Sequence, residues 1–565
     1  MKYFTIAIVA FLTTHTLSAQ TGGIAETLYQ WNGAHAGDAF GLSVSGAGDV
    51  NGDGFGDVIV GIPEVDIGGF SGTGQALIYS GLDGSPIRQW SGSHGERFGA
   101  AVGSAGDIDG DGFDDVIIGA PEDSAGTDPR TGSVFVFSGA TSLEIYRWDG
   151  EDAWNYFGNA VACAGDVNAD GVPDIIVGAS VADPGGFAFS GSAYVFSGAD
   201  GSQLYTWDGS PDDYFGYAVA GAGDVNNDGF DDVIIGANET APNGLTQAGS
   251  AYVYSGADGS LLHHWNGTGT GDLHGSSVSG AGDVNNDGFD DVIVGSPYTD
   301  FGGLYNLGSV FIYSGSDGSI LHQFDGQHQN EFFGTAVAAG SDVNGDGIQD
   351  WVIGASGTNH VSGTGRHGAV HLYSGFDGSR LYTWIGQAEN DYLGSSVAIT
   401  TDLEGDFASD IIAGALSADP NGLTDAGSAF AYSVNSFLRA NTNSVSATSG
   451  GTVELGMDFP QSAAFYRYKV LISASGVGPT TFGVQIPLTL DTLLRQTYVN
   501  QYPVPSHSNM HGTTNATGDA FATITLPASL PSSLIGQTYW VAAIANPFGF
   551  LPELSSIAIP ITVTL

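Results

Sequence analysis

The stretch GDVNNDGFDDVIIGA, Gly223 to Ala237, sets four aspartates and two asparagines directly against an apolar run. Carboxylates crowded beside a segment that must be buried repel one another unless a cation lies among them. The stretch recurs in phase. The Phe/Leu-Gly position that precedes it falls at Phe40, Phe98, Phe157, Phe215, Leu273, Phe333 and Leu393, at intervals of 58 to 60 residues. A fixed period of this length marks a repeat architecture.

Each unit carries four short strand signals: FGYAVAGAGDV, then DDVIIGA, then GSAYVYSG, then a DG turn followed by SLLHHWNG. Helix-period stretches are absent. Four strands with glycine-rich turns make one propeller blade, so seven units predict an all-β, seven-bladed β-propeller over residues 20–436. The seventh unit ends in GSAFAYSVNS, Gly427 to Ser436, and lacks the last strand. That strand stands at the other end as ETLYQWNG, Glu26 to Gly33, which matches SQLYTWDG (Ser202 to Gly209) and SRLYTWIG (Ser379 to Gly386). The N-terminal strand 26–33 is therefore expected to complete the last blade, sparing the ring two sticky edges.

Within the units, oxygen-bearing side chains sit at positions 1, 3, 5 and 9 of a loop. They are Asp49, Asn51, Asp53 and Asp57 in the first, and Asp107, Asp109, Asp111 and Asp115 in the second. The third has Asp166, Asn168, Asp170 and Asp174, and the fourth Asp224, Asn226, Asp228 and Asp232. The fifth has Asp283, Asn285, Asp287 and Asp291, and the sixth Asp342, Asn344, Asp346 and Asp350. Position 6 is glycine, for a sharp turn, and position 7 offers a carbonyl, from Phe55, Phe113, Val172, Phe230, Phe289 and Ile348. This is a loop for a hard cation, and Ca²⁺ suits it better than Mg²⁺, which demands a smaller and stricter octahedron. Strands on both sides distinguish it from the helix-flanked EF-hand. The seventh loop, DLEGDFASD, keeps Asp402, Asp406 and Asp410 but has Glu404 at position 3 and Phe407 where glycine belongs. About six good sites and a degenerate seventh are expected. One such loop is often a plain turn without metal, but six in register argue against that reading.

Composition narrows the function. Eleven Lys and Arg stand against 61 Asp and Glu, a formal charge of −50, which argues against nucleic acid or anionic lipid as partner. The first residues, MKYFTIAIVAFLTTHTLSAQ, join a lysine, an apolar segment and small residues, and read as a signal peptide at 1–19, cut near Ala19, for export. No later segment has the roughly 18 apolar residues of a membrane span. Cys163 is the single cysteine, so no intrachain disulfide stabilises an exported chain.

The Phe-Gly pairs, the GAGDVNNDGFDDVIIGA consensus and Gly-Ala-Pro, as in IIGAP at Ile117 to Pro121, resemble the FG-GAP repeat family, the seven-bladed propeller of the integrin α-subunit head. The resemblance covers roughly residues 26–436. It implies Ca²⁺ in the loops between the first two strands, with ligands and partner subunits on the opposite face. There it would place GEDAWNYFG (Gly150 to Gly158), GSPDDYFG (Gly209 to Gly216) and GQHQNEFFG (Gly326 to Gly334), bringing Trp154, Tyr156, Tyr214, Phe332 and Tyr392 beside acids and asparagines. Such aromatics suit recognition of an extracellular protein or polysaccharide. They equally suit packing between blades. Arg97 is the lone cation of these loops.

After Ser436 the cation pattern stops and alternating strands such as YRYKVLISAS and QTYWVAAIA follow, so a β-sandwich is expected at 437–565. It resembles, less specifically, small C-terminal domains of secreted bacterial proteins. A polysaccharide-active hydrolase or lyase on the same scaffold is the alternative, because carboxylates of different blades could converge. No spacing singles out such a pair, and adjacent His263 and His264 point to opposite faces of a strand. The reading is a secreted, calcium-binding, non-catalytic adhesion or binding protein; oligomeric state is not legible.

Overall fold

The computed structural model describes residues 24–435, apart from 125–127, 345–347, 360–364 and 405–407, and beyond 435 only the backbone of separate strands. The signal peptide expected at 1–19 and the β-sandwich expected at 437–565 lie outside the described residues. So do Asp346, Asp406 and Phe407.

Each DVIIGA-type segment is a strand buried on both faces, such as Asp57–Ile62, Asp115–Ala120 and Asp232–Ala237. A run of β-branched residues with no polar face can sit only in the middle of a sheet that is covered on both sides. It pairs antiparallel with an Ala/Gly-rich strand before it and an aromatic-rich strand after it; in the fourth unit Val219 faces Ile235, and Ile234 faces Val253. The last strand, Leu261–Asn266 in that unit, alternates between exposed and half-buried positions and forms the outer edge.

Seven four-stranded antiparallel sheets result. The seventh consists of Leu393–Thr400, Asp410–Ala415, Ser428–Asn435 and, outermost, Ile24–Asn32. First strands of neighbouring sheets touch all round the ring, including Val44–Gly48 against Leu393–Thr400. Among the described residues the only helices are three one-turn 3-10 segments, at Pro184–Gly186, Pro242–Gly244 and Pro420–Gly422. The protein is an all-β, seven-bladed propeller.

The core lies between blades. One layer joins Val225, Ile234 and Val253 of the fourth blade to Val292, Val294 and Tyr313 of the fifth, and another joins Leu403 and Ile412 of the seventh to Val58, Val60 and Tyr79 of the first. The glycine of each VIIGA run lies where a Cβ would strike the carbonyl of the next blade's Phe-Gly glycine, as Gly236 does against Gly275 and Gly414 against Gly41. Only glycine permits that approach. At the rim, outer-strand tryptophans donate to a carbonyl in the turn of the following blade: Trp148 to Gly201 at 2.9 Å, Trp207 to Gly259 at 3.0 Å, and Trp31 to Gly84 at 2.9 Å.

One repeat position needs correction. The Phe slot of the fifth blade is taken by His274, not Leu273: Gly249 bridges His274 as Gly191 bridges Phe215 and Gly132 bridges Phe157. The imidazole is buried, makes edge contacts with Phe311 and Tyr313, and places Nδ1 2.7 Å from Ser296 Oγ. A flat ring of similar size fills the slot, and its polar atom finds a hydroxyl that the other blades do not need.

Candidate metal centres and the opposite face

In the first five units the loop between first and second strands is wound around its own side chains. In the first, Asp49 accepts the N–H groups of Gly52, Asp53 and Gly54 at 2.7, 3.2 and 2.9 Å, Asn51 Oδ1 accepts from Asp53 at 2.9 Å, and Asp53 from Phe55 at 3.0 Å. The same bonds recur at Asp166, Asn168 and Asp170, and from Asp224 and Asp283. Position 6 has φ of 89 to 91° at Gly54, Gly112, Gly171, Gly229 and Gly288, a conformation costly for any side chain, while position 4 has a smaller positive φ that Asn227 and Asn286 tolerate.

The carboxylate at position 9 opens the buried strand. Asp57 accepts from the N–H of Val50 at 3.1 Å and of Gly81 at 3.2 Å, Asp232 from Val225 and Gly256 at 2.9 Å, and Asp350 from Val343 at 2.9 Å and Gly375 at 3.0 Å. Burial is the main cause that pushes Asp57 and Asp232 up to about 7, and Asp115, Asp174 and Asp291 up to about 6; backbone N–H groups oppose it, and neighbouring loop acids add to it. A cation in the loop would cancel the acid–acid repulsion.

The donor set fits a hard cation. Oxygens of Asp107, Asp109 and Asp115 lie within 4.8 Å of one another, and in the fourth loop the buried Asn226 Oδ1 has no hydrogen-bond partner. The carbonyls of Phe55, Phe113, Val172, Phe230, Phe289 and Ile348 stand at position 7, and Asp111, Asp228, Asp287, Asn285, Asp342 and Asn344 complete the loops. The seventh loop gathers Asp402, Glu404 and Asp410 within the same 4.8 Å, its glutamate substituting for the shorter Asn or Asp.

Sequence reasoning missed position 8. Asp114, Asp231 and Asp290 stand among the loop acids in sequence, but each reaches back to the preceding blade and accepts the N–H of that loop's first aspartate: Asp49 at 2.8 Å, Asp166 at 2.8 Å and Asp224 at 3.0 Å. The signal was an acid at a position that alternates with Gly56, Pro173 and Gln349, which ligand chemistry does not explain.

Antiparallel pairing puts the loops between blades, and those between second and third strands, on the opposite face. Here the residue before each Phe-Gly slot, namely Ala39, Arg97, Tyr156, Tyr214, Leu273, Phe332 and Tyr392, has φ of 52 to 55°. Each donates its N–H to the adjoining loop, as Tyr214 does to the Phe189 carbonyl and Tyr156 to that of Arg130. The side chains then pair across blades. Tyr214 stacks on Phe189 with centroids 5.4 Å apart, Arg130 lies over Trp154 and Tyr156, and Arg366 over Phe332 and Tyr392. Arg97 is 2.6 Å from Glu64 and 3.6 Å from Glu122, which Arg130 shares at 3.2 Å. The aromatics pack on neighbours and still show themselves: Trp154 is 53% exposed, Phe187 58% and Tyr305 60%.

A groove of about 460 Å³ between the fourth and fifth blades is lined by His264, Trp265, His274, Tyr313 and Asp272. Asp272 is engaged as the acceptor for the Gly269 N–H, at 2.6 Å. That single committed acid does not make the pair a glycosidase requires.

The FG-GAP repeat model matches residues 40–79, 98–137, 157–196, 215–254, 274–313 and 333–373. Six of the seven blades match FG-GAP repeats. The fifth match begins at His274, the residue found in the Phe slot. The chain is similar to integrin alpha-5 of Xenopus laevis, 34% identical over 36% of this chain and 20% of the relative. It is also similar to integrin alpha-4 of Xenopus laevis, 29% identical over 45% of this chain and 25% of the relative, and to integrin alpha-PS5 of Drosophila melanogaster, 28% identical over 35% and 20%. The chain thus aligns with about a fifth to a quarter of the length of these relatives. Among its described residues no helix is long and apolar enough to cross a membrane.

Proposed function

We propose that this FG-GAP protein is an exported, calcium-stabilised, non-catalytic binding module, with an extracellular protein or polysaccharide held on the face opposite the acidic loops. The observation that carries the reading is the ring of positive-φ positions on that face, which keeps one backbone and varies its side chain from blade to blade. Left-handed backbone is costly for tyrosine, phenylalanine and leucine, and such cost concentrates at recognition sites. Exposed aromatics flanked by carboxylates and two ring-stacked arginines supply contact area with directional polar groups. The likeness to integrin alpha chains supports a binding role, and the domain limits 20–436 and 437–565 belong to the same proposal.

On the other face, six loops hold Ca²⁺ through the positions named above, with the seventh the weakest. The ions supply charge neutralisation; the chain supplies the oxygen donors and the backbone bonds that shape them. The test is a screen of the purified protein on polysaccharides and extracellular matrix proteins, with calcium and after chelation, scoring retention and product release together. Calcium-dependent retention without products is the expected result. Release of shortened glycans would replace the binder with an enzyme.

A further inference from the structure

We infer that Asp114, Asp231 and Asp290 are positioning residues that hold the preceding blade's cation loop in its ligating shape, so that the loops fill as linked groups rather than independently. The inference rests on the calcium reading of the loops. Each of the three carboxylates belongs to one blade and binds the loop of another, through a two-way contact. Asp231 accepts the Asp166 N–H at 2.8 Å and its own N–H donates to the Asp166 carbonyl at 3.2 Å; Asp290 and Asp224 repeat this at 3.0 and 3.2 Å, and Asp114 and Asp49 at 2.8 and 3.3 Å. The glycine before each latched aspartate, Gly165, Gly223 or Gly48, has a positive φ and leaves the space into which the carboxylate enters. A Cβ there would collide with it.

The latch residue is next in sequence to the position-9 carboxylate of its own loop. Asp231 therefore lies between two candidate sites, within electrostatic reach of Asp166 in one and Asp224 in the other; Asp290 lies similarly between Asp224 and Asp283, and Asp114 between Asp49 and Asp107. With a cation bound, the position-9 carboxylate beside the latch would be held as a ligand, and the latch, fixed with it, would keep the neighbouring loop's first aspartate in place through the same backbone bonds. Ordering already accomplished lowers the cost of the second binding event. The links are unequal. Loops three, four and five form one chain through Asp231 and Asp290, and loops one and two a pair through Asp114. Pro173 breaks the series between loops two and three, having neither an acceptor side chain nor an N–H, and Gly56 keeps only the backbone half toward the seventh loop, its N–H 2.9 Å from the Asp402 carbonyl.

The experiment is a calorimetric Ca²⁺ titration of the full chain and of Asp231→Ala, Asp231→Asn and Asp290→Asn, with Ile118→Val as a core variant of comparable stability. The wild type is expected to titrate with a Hill slope above one. Asp231→Ala is expected to lower the affinity of the linked loops about tenfold and to reduce the slope, a coupling within the usual range between sites. Asp231→Asn keeps an acceptor and is expected to recover part of the loss, and Ile118→Val to titrate like the wild type. Wild-type affinity and slope in the folded Asp231→Ala protein, or a Hill slope of one in the wild type, would overturn the latch while leaving calcium binding intact. Absence of calcium binding in the wild type would overturn both.

Discussion

On the acidic face, Asp49, Asp166, Asp224 and Asp283 occupy one loop position and bond through their side chains to the same backbone N–H, whereas on the opposite face Tyr156, Tyr214, Leu273 and Phe332 share a φ near 53° and a backbone bond but not a side chain. One face repeats chemistry; the other repeats a backbone and varies what it displays. A ligand set tolerates little variation, because oxygens must converge on one ion. A recognition surface gains from variation, because one macromolecular ligand meets every blade differently.

The largest effect that would break this comparison is chelation. If the acidic loops hold cations, their removal is expected to lower the melting temperature by about 10 °C or more, since each site filled at a hundred times its Kd contributes about 2.7 kcal/mol. Differential scanning calorimetry with and without chelator measures it, and an unmoved transition would make the loops plain turns. Next comes Asp232→Ala, which leaves the buried Gly256 N–H without its acceptor and the Val225 N–H with the Gly223 carbonyl alone. A loss of about 3 kcal/mol is expected in denaturant unfolding.

The departure at His274 is a smaller test. Burial holds this imidazole down at about 3, against an ordinary value near 6.5, so the unfolded chain takes up the proton first. Its contribution to stability is complete above about pH 6.5 and is lost as pH falls toward 3. The variant His274→Phe, restoring the ring found in the other blades, is expected to flatten the acid-induced decline in melting temperature between about pH 6.5 and 4. The smallest stability effect belongs to the exposed face. Trp154→Ala is expected to change unfolding free energy by no more than about 0.5 kcal/mol while weakening ligand retention in the screen, which separates display from scaffold. Retention equal to wild type would move the binding surface away from the second and third blades.

Much of this was legible early. The DVIIGA runs, the Asp and Asn spacing and the ETLYQWNG segment carried the strand count, the loops and a partner for the incomplete seventh unit, because strand burial and turn geometry are local demands that a repeated sequence states many times. Leu273 was placed in the Phe slot for a related reason: pattern matching prefers an apolar residue, and nothing local reveals that Ser296 stands ready for an imidazole.

The sequence by itself determined which residues are strands, which loops are rich in oxygen donors and where each unit begins, the fifth to within one residue. Only the tertiary structure decided that Asp231 and Asp290 serve a neighbouring blade, that Arg130 and Arg366 lie over aromatic rings, and that tryptophans of one blade bond to the turn of the next. These contacts join residues about one repeat apart or brought together by adjoining loops. Their partners are set by how the sheets close around the axis, and no local spacing encodes that.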